Sequence, residues 1–159
     1  MQIHVLTPQA IERQLHNAEV LCKQKNKRLT PIRKQILELL IRAQRSLKAY
    51  ELLELVRTLQ PKAAPPTVYR ALDFLTELEL IHRIDAVNAW TACADVAGVP
   101  HDLLVVCTQC GLVAELSAPH LSRTIDACIL EAGFALAQGD TELRALCLQC
   151  SQSPPDIFT

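Results

Sequence analysis

Apolar residues recur every three or four positions through most of the first 80 residues, and this spacing predicts four helices. The first covers PQAIERQLHNAEVLCKQ, and the second has Thr30 as its predicted N-cap with Pro31 at its first position. Pro61 ends the third helix, KAYELLELVRTLQ, and prolines begin the fourth, PTVYRALDFLTELEL. The residues predicted to face inward are, helix by helix, Ile11, Leu15, Ala18 and Cys22; Ile36, Leu39, Leu40 and Ala43; Leu52, Leu55, Val56 and Leu59; Val68, Ala71, Leu72, Leu75 and Leu78.

The stretch LIHRIDAVNAWTAC follows these helices and predicts a β-hairpin that turns near Val87 and Asn88. Helices followed by such a hairpin form a winged helix-turn-helix, whose last helix can enter the major groove of DNA. On that last helix, Thr67 and Arg70 fall opposite the apolar stripe, and Tyr69 falls at its flank. The first half of the chain therefore has the pattern of a DNA-binding domain.

The pattern changes after residue 93, where ADVAGVP resembles a linker. LLVVC and LVAEL then predict short strands, Pro119 starts a helix that Gly133 caps, and GFALAQ and ELRALCLQC predict two further strands. The stripe predicted for that helix consists of Leu121, Ile125, Cys128 and Ala132. We therefore expect an α+β fold, with a winged-helix domain at residues 1–93, a hinge at 94–101 and a small α/β domain at 102–159.

The net charge of −1 conceals a division between the two halves of the chain. Residues 1–83 carry 14 Lys and Arg against 8 Asp and Glu, a net charge of +6. Residues 84–159 carry 2 against 9, a net charge of −7. A basic half joined to an acidic half suggests that only one part binds a polyanion, although chance surface charge would give the same division.

Sequence length and composition narrow the class of protein. No apolar run approaches about 18 residues, so we expect no membrane span. The N-terminal stretch MQIHVLTPQAIERQ lacks the features of a signal peptide, which favours a reducing cytoplasm, where structural disulfides are rare. The count of seven cysteines is odd and also argues against a complete disulfide framework.

Two C-x-x-C pairs, Cys107/Cys110 and Cys147/Cys150, offer four soft ligands in the arrangement of a closed zinc site. A redox dithiol is the alternative, but it requires a helix start within a thioredoxin-like βαβ pattern. We expect the first pair to lie between strands and the second to end a strand, so structural zinc is favoured. Cys22 and Cys128 lie on apolar stripes and are expected to be buried, small hydrophobic residues.

A second metal site is suggested by the hairpin. If it turns at residues 87 and 88, His82 and Cys93 are direct cross-strand neighbours with Cβ atoms about 5 Å apart. His101 and Glu115 are further candidate ligands. Two imidazoles, a thiolate and a carboxylate favour zinc over magnesium or manganese, and less strongly over iron. The alternative, that each is an isolated polar residue, stays open.

Five segments make the chain resemble the ferric uptake regulator superfamily, and specifically its zinc uptake regulator branch: RLTPIRKQILELL, APPTVYRALDFL, LIHRID, CTQCGLVAEL and CLQC. The resemblance spans roughly residues 15–150. It implies a dimeric, metal-dependent repressor that binds operator DNA through a winged-helix domain and dimerises through an α/β domain. It also implies two zinc ions per subunit and control of zinc-uptake genes.

The resemblance also assigns roles to residues. It implies that structural zinc is held by Cys107, Cys110, Cys147 and Cys150. It implies that regulatory zinc is held by His82, Cys93, His101 and Glu115. It also implies that Tyr69 and Arg70 reach DNA, with Thr67 and Arg33 as weaker candidates near the DNA backbone. Iron-sensing members have a His-rich stretch where this chain retains only His101 and Asp102. That departure favours zinc, and it makes a third metal site, with Asp102 or His120, doubtful.

Other functions remain as alternatives. An iron-, manganese- or peroxide-responsive regulator of the same superfamily comes first, and a thiol oxidoreductase or a zinc-ribbon adaptor without a DNA role comes after it. The sequence contains neither H-E-x-x-H nor G-x-S-x-G, and its four glycines form no phosphate-binding loop. We therefore expect a protein that is not an enzyme.

Overall fold

The computed structural model describes residues 7–93, 103–136 and 141–152. The chain divides into two compact units, Met1–Gly98 and Val99–Thr159. The predicted α+β class is confirmed. The hinge expected at 94–101 lies outside the described residues.

The first unit consists of four helices followed by a hairpin. Its elements are α1 (Pro8–Gln24), α2 (Pro31–Ala43), α3 (Ala49–Leu59), α4 (Pro65–Glu77), β1 (Ile81–Ile84) and β2 (Ala89–Ala92). Three of the helices start at a proline, whose fixed φ suits the first helical turn. Thr7 caps α1, since its hydroxyl accepts a hydrogen bond from the Ala10 amide at 3.2 Å. Thr30 is the N-cap of α2 as predicted, but its side chain makes no capping hydrogen bond.

The helical stripes of the first unit form one core. Every residue predicted to face inward on α1 and α4 is buried, together with Leu78 just after α4. On α2 the prediction was partly wrong, because Leu37 and Ile41 are buried whereas Leu39 and Ala43 are only half-buried. The buried face of α2 is displaced because this helix packs against α1, α3, α4 and β2 at once.

Two residues of α3 also differ from the prediction. Leu55 is 40% exposed and Leu59 is 72% exposed, whereas Leu52 and Val56 are fully buried. The buried face of α3 is centred on Leu52 and Val56, so Leu55 lies at its edge. Leu59 is the last residue of the helix and extends past the core.

The hairpin is present, but its predicted register was wrong. His82 pairs with Thr91 and Ile84 with Ala89, so Cys93 is not the direct partner of His82. The cause is the connection, a 3₁₀ turn over Asp85–Val87 followed by Asn88 in the left-handed conformation at φ 50°. This four-residue connection shifts the pairing by two residues from that of a two-residue turn at 87 and 88.

The second unit is a three-stranded sheet with two helices. Its elements are β3 (Leu103–Cys107), β4 (Val113–Leu116), α5 (Pro119–Glu131), β5 (Thr141–Ala145) and α6 (Leu148–Gln152). The strand order is β4-β3-β5, with β4 antiparallel and β5 parallel to the central β3. The strands predicted for LLVVC and LVAEL are therefore confirmed.

Three expectations for this unit were wrong. Residues 133–136 of GFALAQ form no strand, since Gly133 turns the chain at φ 83° and β5 occupies the free edge of β3. No residue of α5 is buried, and Cys128 is exposed. The second C-x-x-C pair does not end a strand, because Cys147 precedes α6 and Cys150 lies within it.

Among the described residues, no helix combines the length and the apolar character that a membrane crossing requires.

Candidate metal centres and nucleic-acid surface

The second unit brings the four predicted structural cysteines together. Cys107 ends β3, and Cys110 lies in the turn that leads to β4. The parallel pairing of β3 with β5 places Cys107 beside Ala145, so Cys147 follows at the same edge of the sheet. All four Sγ atoms lie within 4.8 Å of one another. One local turn, one short helix and one strand pairing thus form the cluster.

The distances in this cluster fit zinc. Zinc–sulfur bonds of about 2.3 Å in a tetrahedron require neighbouring sulfurs to be about 3.8 Å apart. The Sγ atoms of Cys110 and Cys147 are 3.8 Å apart, and all four thiols are free rather than joined in disulfides. The residues present therefore suit a closed, all-thiolate site.

The pKa values of the cysteine thiols also favour a bound metal ion. Burial raises the pKa of Cys107, but the backbone amides of Cys110, Cys147 and Gln109 donate to its sulfur and hold its pKa at about 6. The Cys147 thiol and burial raise the pKa of Cys150 to about 12, and burial raises that of Cys110. Four crowded thiols cannot all ionise by themselves, and a bound cation removes that penalty.

One observation supports a redox dithiol, and another argues against it. The Cys147/Cys150 pair lies at a helix start, which is the setting that a redox dithiol requires. However, its sulfurs converge with those of Cys107 and Cys110, and α6 has only five residues. Convergence of four thiols is the arrangement of a metal site, whereas a redox pair needs only two.

The hairpin brings two of the predicted regulatory ligands together. His82 on β1 is half-buried, Cys93 just after β2 is 7% exposed, and their ligand atoms lie within 4.8 Å of each other. They are diagonal neighbours on one face, because Cys93 lies two residues past Thr91, the partner of His82. Their ligand atoms are therefore close together, although the two residues are not the direct cross-strand neighbours that were predicted.

Only some of the other candidate ligands lie among the described residues. Glu115 is half-buried on β4, opposite Leu104 of β3. His101 and Asp102 lie outside the described residues. His120 is exposed at the start of α5 and belongs to neither group of potential ligands among the described residues.

The predicted DNA-contacting residues of α4 are exposed. Thr67 and Arg70 face solvent, and Tyr69 is 50% exposed while its ring meets Trp90 edge-on at a centroid distance of 6.2 Å. Arg33 differs, because its guanidinium stacks on the Phe74 ring at 3.5 Å and donates to the Arg28 carbonyl oxygen at 2.8 Å. These two contacts within the first unit therefore occupy much of the Arg33 side chain.

A cavity next to Tyr69 was not anticipated from the sequence. Lys48 and Tyr50, from the start of α3, line it together with Tyr69 and Trp90. Only the composition of the chain could have pointed to this cavity. The chain has two tyrosines and one tryptophan, and all three line the cavity.

Comparison with known proteins gives consistent results. The model of the ferric uptake regulator family matches residues 24–144. The zinc uptake regulation protein of Escherichia coli (strain K12) is 37% identical over 137 residues, which cover 86% of this chain and 80% of that protein. The ferric uptake regulation protein of Bacillus subtilis (strain 168) is 27% identical over 145 residues, which cover 89% and 92%.

A solved structure extends the likeness to three dimensions. A zinc uptake regulator complexed with zinc and DNA aligns with a TM-score of 0.79 at 35% identity, covering 92% of this chain and 97% of that one. The family match covers well over half of the chain and includes α4, the hairpin and the first cysteine pair. The chain therefore belongs to the ferric uptake regulator family.

Proposed function

We propose that this protein is a zinc-responsive transcriptional repressor, which binds operator DNA when its regulatory zinc site is filled and controls zinc-uptake genes. The observation that carries this proposal is the likeness, over 92% of the chain, to a zinc uptake regulator complexed with zinc and DNA. The identity of 37% to a zinc uptake regulation protein supports zinc as the signal rather than iron.

One proposed zinc ion is structural and is bound by Cys107, Cys110, Cys147 and Cys150. Four thiolates fill all tetrahedral positions, so this ion contributes folding energy and has no open position for substrate. The cysteines come from the end of β3, the following turn and the region of α6. Their proposed role is to connect α6 to the β3–β4 turn.

The second proposed ion is regulatory, and it gives a total of two per subunit. His82 and Cys93 support this assignment, because their ligand atoms lie within 4.8 Å of each other on one hairpin. His101 and Glu115 complete the proposed set. A thiolate with imidazoles favours zinc, and the ion can bias DNA binding only as far as its affinity differs between two arrangements of the chain.

Recognition of DNA is assigned to α4 and the charge around it. The +6 charge of residues 1–83 supports attraction to phosphates. The exposed Arg70 can pair with a guanine edge, and the exposed Tyr69 offers its ring and hydroxyl. Thr67 and Arg33 are proposed to lie near the DNA backbone.

The proposed repressor is a homodimer. Among its described residues, the second unit exposes eight large apolar side chains, and such surfaces are typical of protein interfaces. They are Leu116, Leu121, Leu130, Phe134, Leu136, Leu143, Leu146 and Leu148. In dimeric repressors of the helix-turn-helix class, the two recognition helices reach major-groove faces about 34–36 Å apart, and we propose this role for the two α4 helices.

The proposal is tested by metal analysis followed by DNA binding. Protein purified in reducing buffer should contain zinc, and its affinity for promoter DNA of zinc-uptake genes should rise with buffered free zinc. Ferrous iron and manganese, supplied at their own physiological free concentrations, should not replace zinc. If iron or manganese alone restores binding, the protein is a regulator of the same family with a different signal.

A further inference from the structure

A cavity of about 310 Å³ opens in the first unit between the start of α3, helix α4 and the hairpin. Both tyrosines and the only tryptophan of the chain line it, in a protein that has just three other aromatic residues. Lys48 is also part of its wall. An aromatic-lined cavity with one cation at its edge has the composition of a site that binds an anion carrying a nonpolar body.

A long-range contact forms this cavity. The amide of Leu47 donates to the Trp90 carbonyl oxygen at 2.8 Å, and the amide of Trp90 donates to the Leu47 carbonyl oxygen at 2.9 Å. This bridge holds the start of α3 against the outer edge of β2. Lys48 and Tyr50 are thereby fixed beside the hairpin, and Tyr69 closes the wall from α4 with its ring edge-on to Trp90.

The cavity opens on the surface that carries the proposed recognition residues. Tyr50 is 60% exposed, Tyr69 is 50% exposed, and Lys48 is also exposed. Arg70 is the residue next to Tyr69 on α4. A DNA strand bound along α4 would therefore pass the mouth of the cavity.

The charge of Lys48 is available to a ligand. Among the described residues, no carboxylate lies within ion-pair distance of its ammonium group, which lies 6.0 Å from the centre of the Tyr50 ring. The nearby Glu51 carboxylate instead accepts from the Lys48 backbone amide at 2.8 Å and from Arg45 at 3.0 Å. Arg45 thus forms the ion pair with this carboxylate, which reduces its competition with an incoming anion for Lys48.

We propose that this cavity receives one sugar–phosphate unit of the bound DNA strand, with the Lys48 ammonium on the phosphate and the aromatic wall against the deoxyribose. The inference rests on the proposed function and deepens it. A volume of about 310 Å³ is at the lower end of the range for ligand cavities, about 300–1,000 Å³, and suits one nucleotide rather than a longer segment. A backbone contact carries no sequence information, but it fixes the position of α4 in the groove.

Lys48 and Arg70 should therefore differ in what they contribute. Removing a phosphate contact weakens binding uniformly across sequences and reduces the salt dependence by about one counterion per contact. Removing a base contact instead relaxes sequence preference. Lys48→Ala should show the first behaviour, with affinity about fivefold weaker per subunit, and Lys48→Arg should retain most of the affinity.

The test is a fluorescence anisotropy titration at saturating zinc over a series of salt concentrations. The probes are a short duplex selected from random sequence by the wild-type protein and a scrambled duplex of the same composition. Lys27→Ala is the matched control, because Lys27 is bonded to Glu77 at the opposite end of α4 from Tyr69. Lys48→Ala leaves the backbone hydrogen bond to Glu51 intact, so its fold should be retained.

Trp90 provides a second measurement, since it is the only tryptophan and lines the cavity. At fixed zinc, saturating DNA should change its emission and reduce its quenching by acrylamide. Identical emission and quenching in free and bound protein would overturn the inference.

The outcomes separate this inference from the proposed function. If wild-type protein with zinc binds neither duplex, the proposed function fails. If wild-type protein binds but Lys48→Ala equals Lys27→Ala in affinity and salt slope, only the cavity assignment fails. A loss confined to the selected duplex would show that Lys48 contacts a base, and it would also overturn the phosphate assignment.

Discussion

Helices α4 and α5 are both 13 residues long and both start at a proline, yet they differ in what covers them. Helix α4 has five buried residues, whereas α5 has none. The difference extends to the units: among the described residues, 24 of the 28 buried apolar residues belong to the first unit. An apolar helical stripe predicts a face that packs against another surface. It does not indicate whether that surface belongs to the same chain or to another molecule.

The two units therefore depend on different sources of stability. The first has a contiguous core of its own, formed by four helices and the hairpin. The second has a three-stranded sheet, an uncovered helix face and a cluster of four cysteines. With the proposed zinc and the proposed dimer, the second unit would gain the support that small domains with limited cores commonly need.

Removal of metal should give the largest difference between the units. Structural zinc contributes about 10–16 kcal/mol of apparent binding free energy in small zinc domains, so chelation under reducing conditions should unfold the second unit. Hydrogen exchange should show lost protection in residues 103–152 and retained protection in 7–93. Cys110→Ser should behave like chelated protein, whereas Cys128→Ser, outside the cluster, should not. Equal loss of protection in both units would contradict the comparison.

A matched pair of leucine truncations on the two helices should separate core packing from assembly. Leu72 on α4 is fully buried, so Leu72→Ala should lower the free energy of unfolding by about 2–5 kcal/mol. Leu121 on α5 is 48% exposed, so Leu121→Ala should barely change unfolding of the isolated subunit but should weaken the dimer. Denaturant titration and analytical ultracentrifugation measure the two effects. An unchanged dimer affinity for Leu121→Ala would remove that residue from the proposed interface.

Removal of Arg70 tests the function of the well-packed unit. Arg70→Ala should cost about 1–3 kcal/mol of discrimination at one base position while zinc content stays unchanged. Arg42→Ala is the control, because Arg42 is an exposed residue of α2 that pairs with Glu38. Competition binding with duplexes altered at single positions measures the effect. Unchanged preferences at every position would exclude Arg70 from base recognition.

The smallest predicted effect concerns an ion pair at the surface of the first unit. The hydrogen bond from Lys34 lowers the pKa of Glu19, at an Nζ–Oε1 distance of 2.6 Å. A depressed carboxyl pKa stabilises the fold above the unfolded-state pKa, and this stabilisation is lost as pH falls through the folded-state value.

Because both side chains are partly exposed, Glu19→Gln should cost only about 0.2–1 kcal/mol at neutral pH. The difference from wild type should shrink as pH falls below the unfolded-state pKa of about 4.3 and vanish once the pH lies below the lowered folded-state pKa. Denaturant titrations at several pH values measure it. In a Lys34→Met background, Glu19→Gln should have almost no effect; an equal effect in both backgrounds would exclude the pair as the cause.

Local patterns in the sequence predicted much of the fold and part of the site. Helical spacing located α1 and α4 with their buried faces, since each face packs within one unit. The two C-x-x-C pairs identified the four-cysteine cluster, because each pair needs only a short turn and the parallel strands β3 and β5 bring the pairs together.

What the sequence did not predict depends on longer-range or unusual geometry. The hairpin register was wrong because a 3₁₀ turn over Asp85–Val87, closed by Asn88 in the left-handed conformation, makes the connection four residues long instead of two. Burial of Cys128 was wrong because, in the part of the chain that the structure describes, no residue covers that face of α5. The cavity beside Tyr69 depends on the bridge between Leu47 and Trp90, residues 43 positions apart, which no local pattern reveals.

The central claim is that zinc at the second site controls affinity for DNA, and one titration tests it most directly. Operator affinity should be measured across buffered free zinc for wild type, Cys93→Ser and the control Cys128→Ser. The account predicts that zinc raises the affinity of wild type and Cys128→Ser by about 5–150-fold, whereas Cys93→Ser remains folded and shows no zinc response. A zinc response of normal size in folded Cys93→Ser would contradict it.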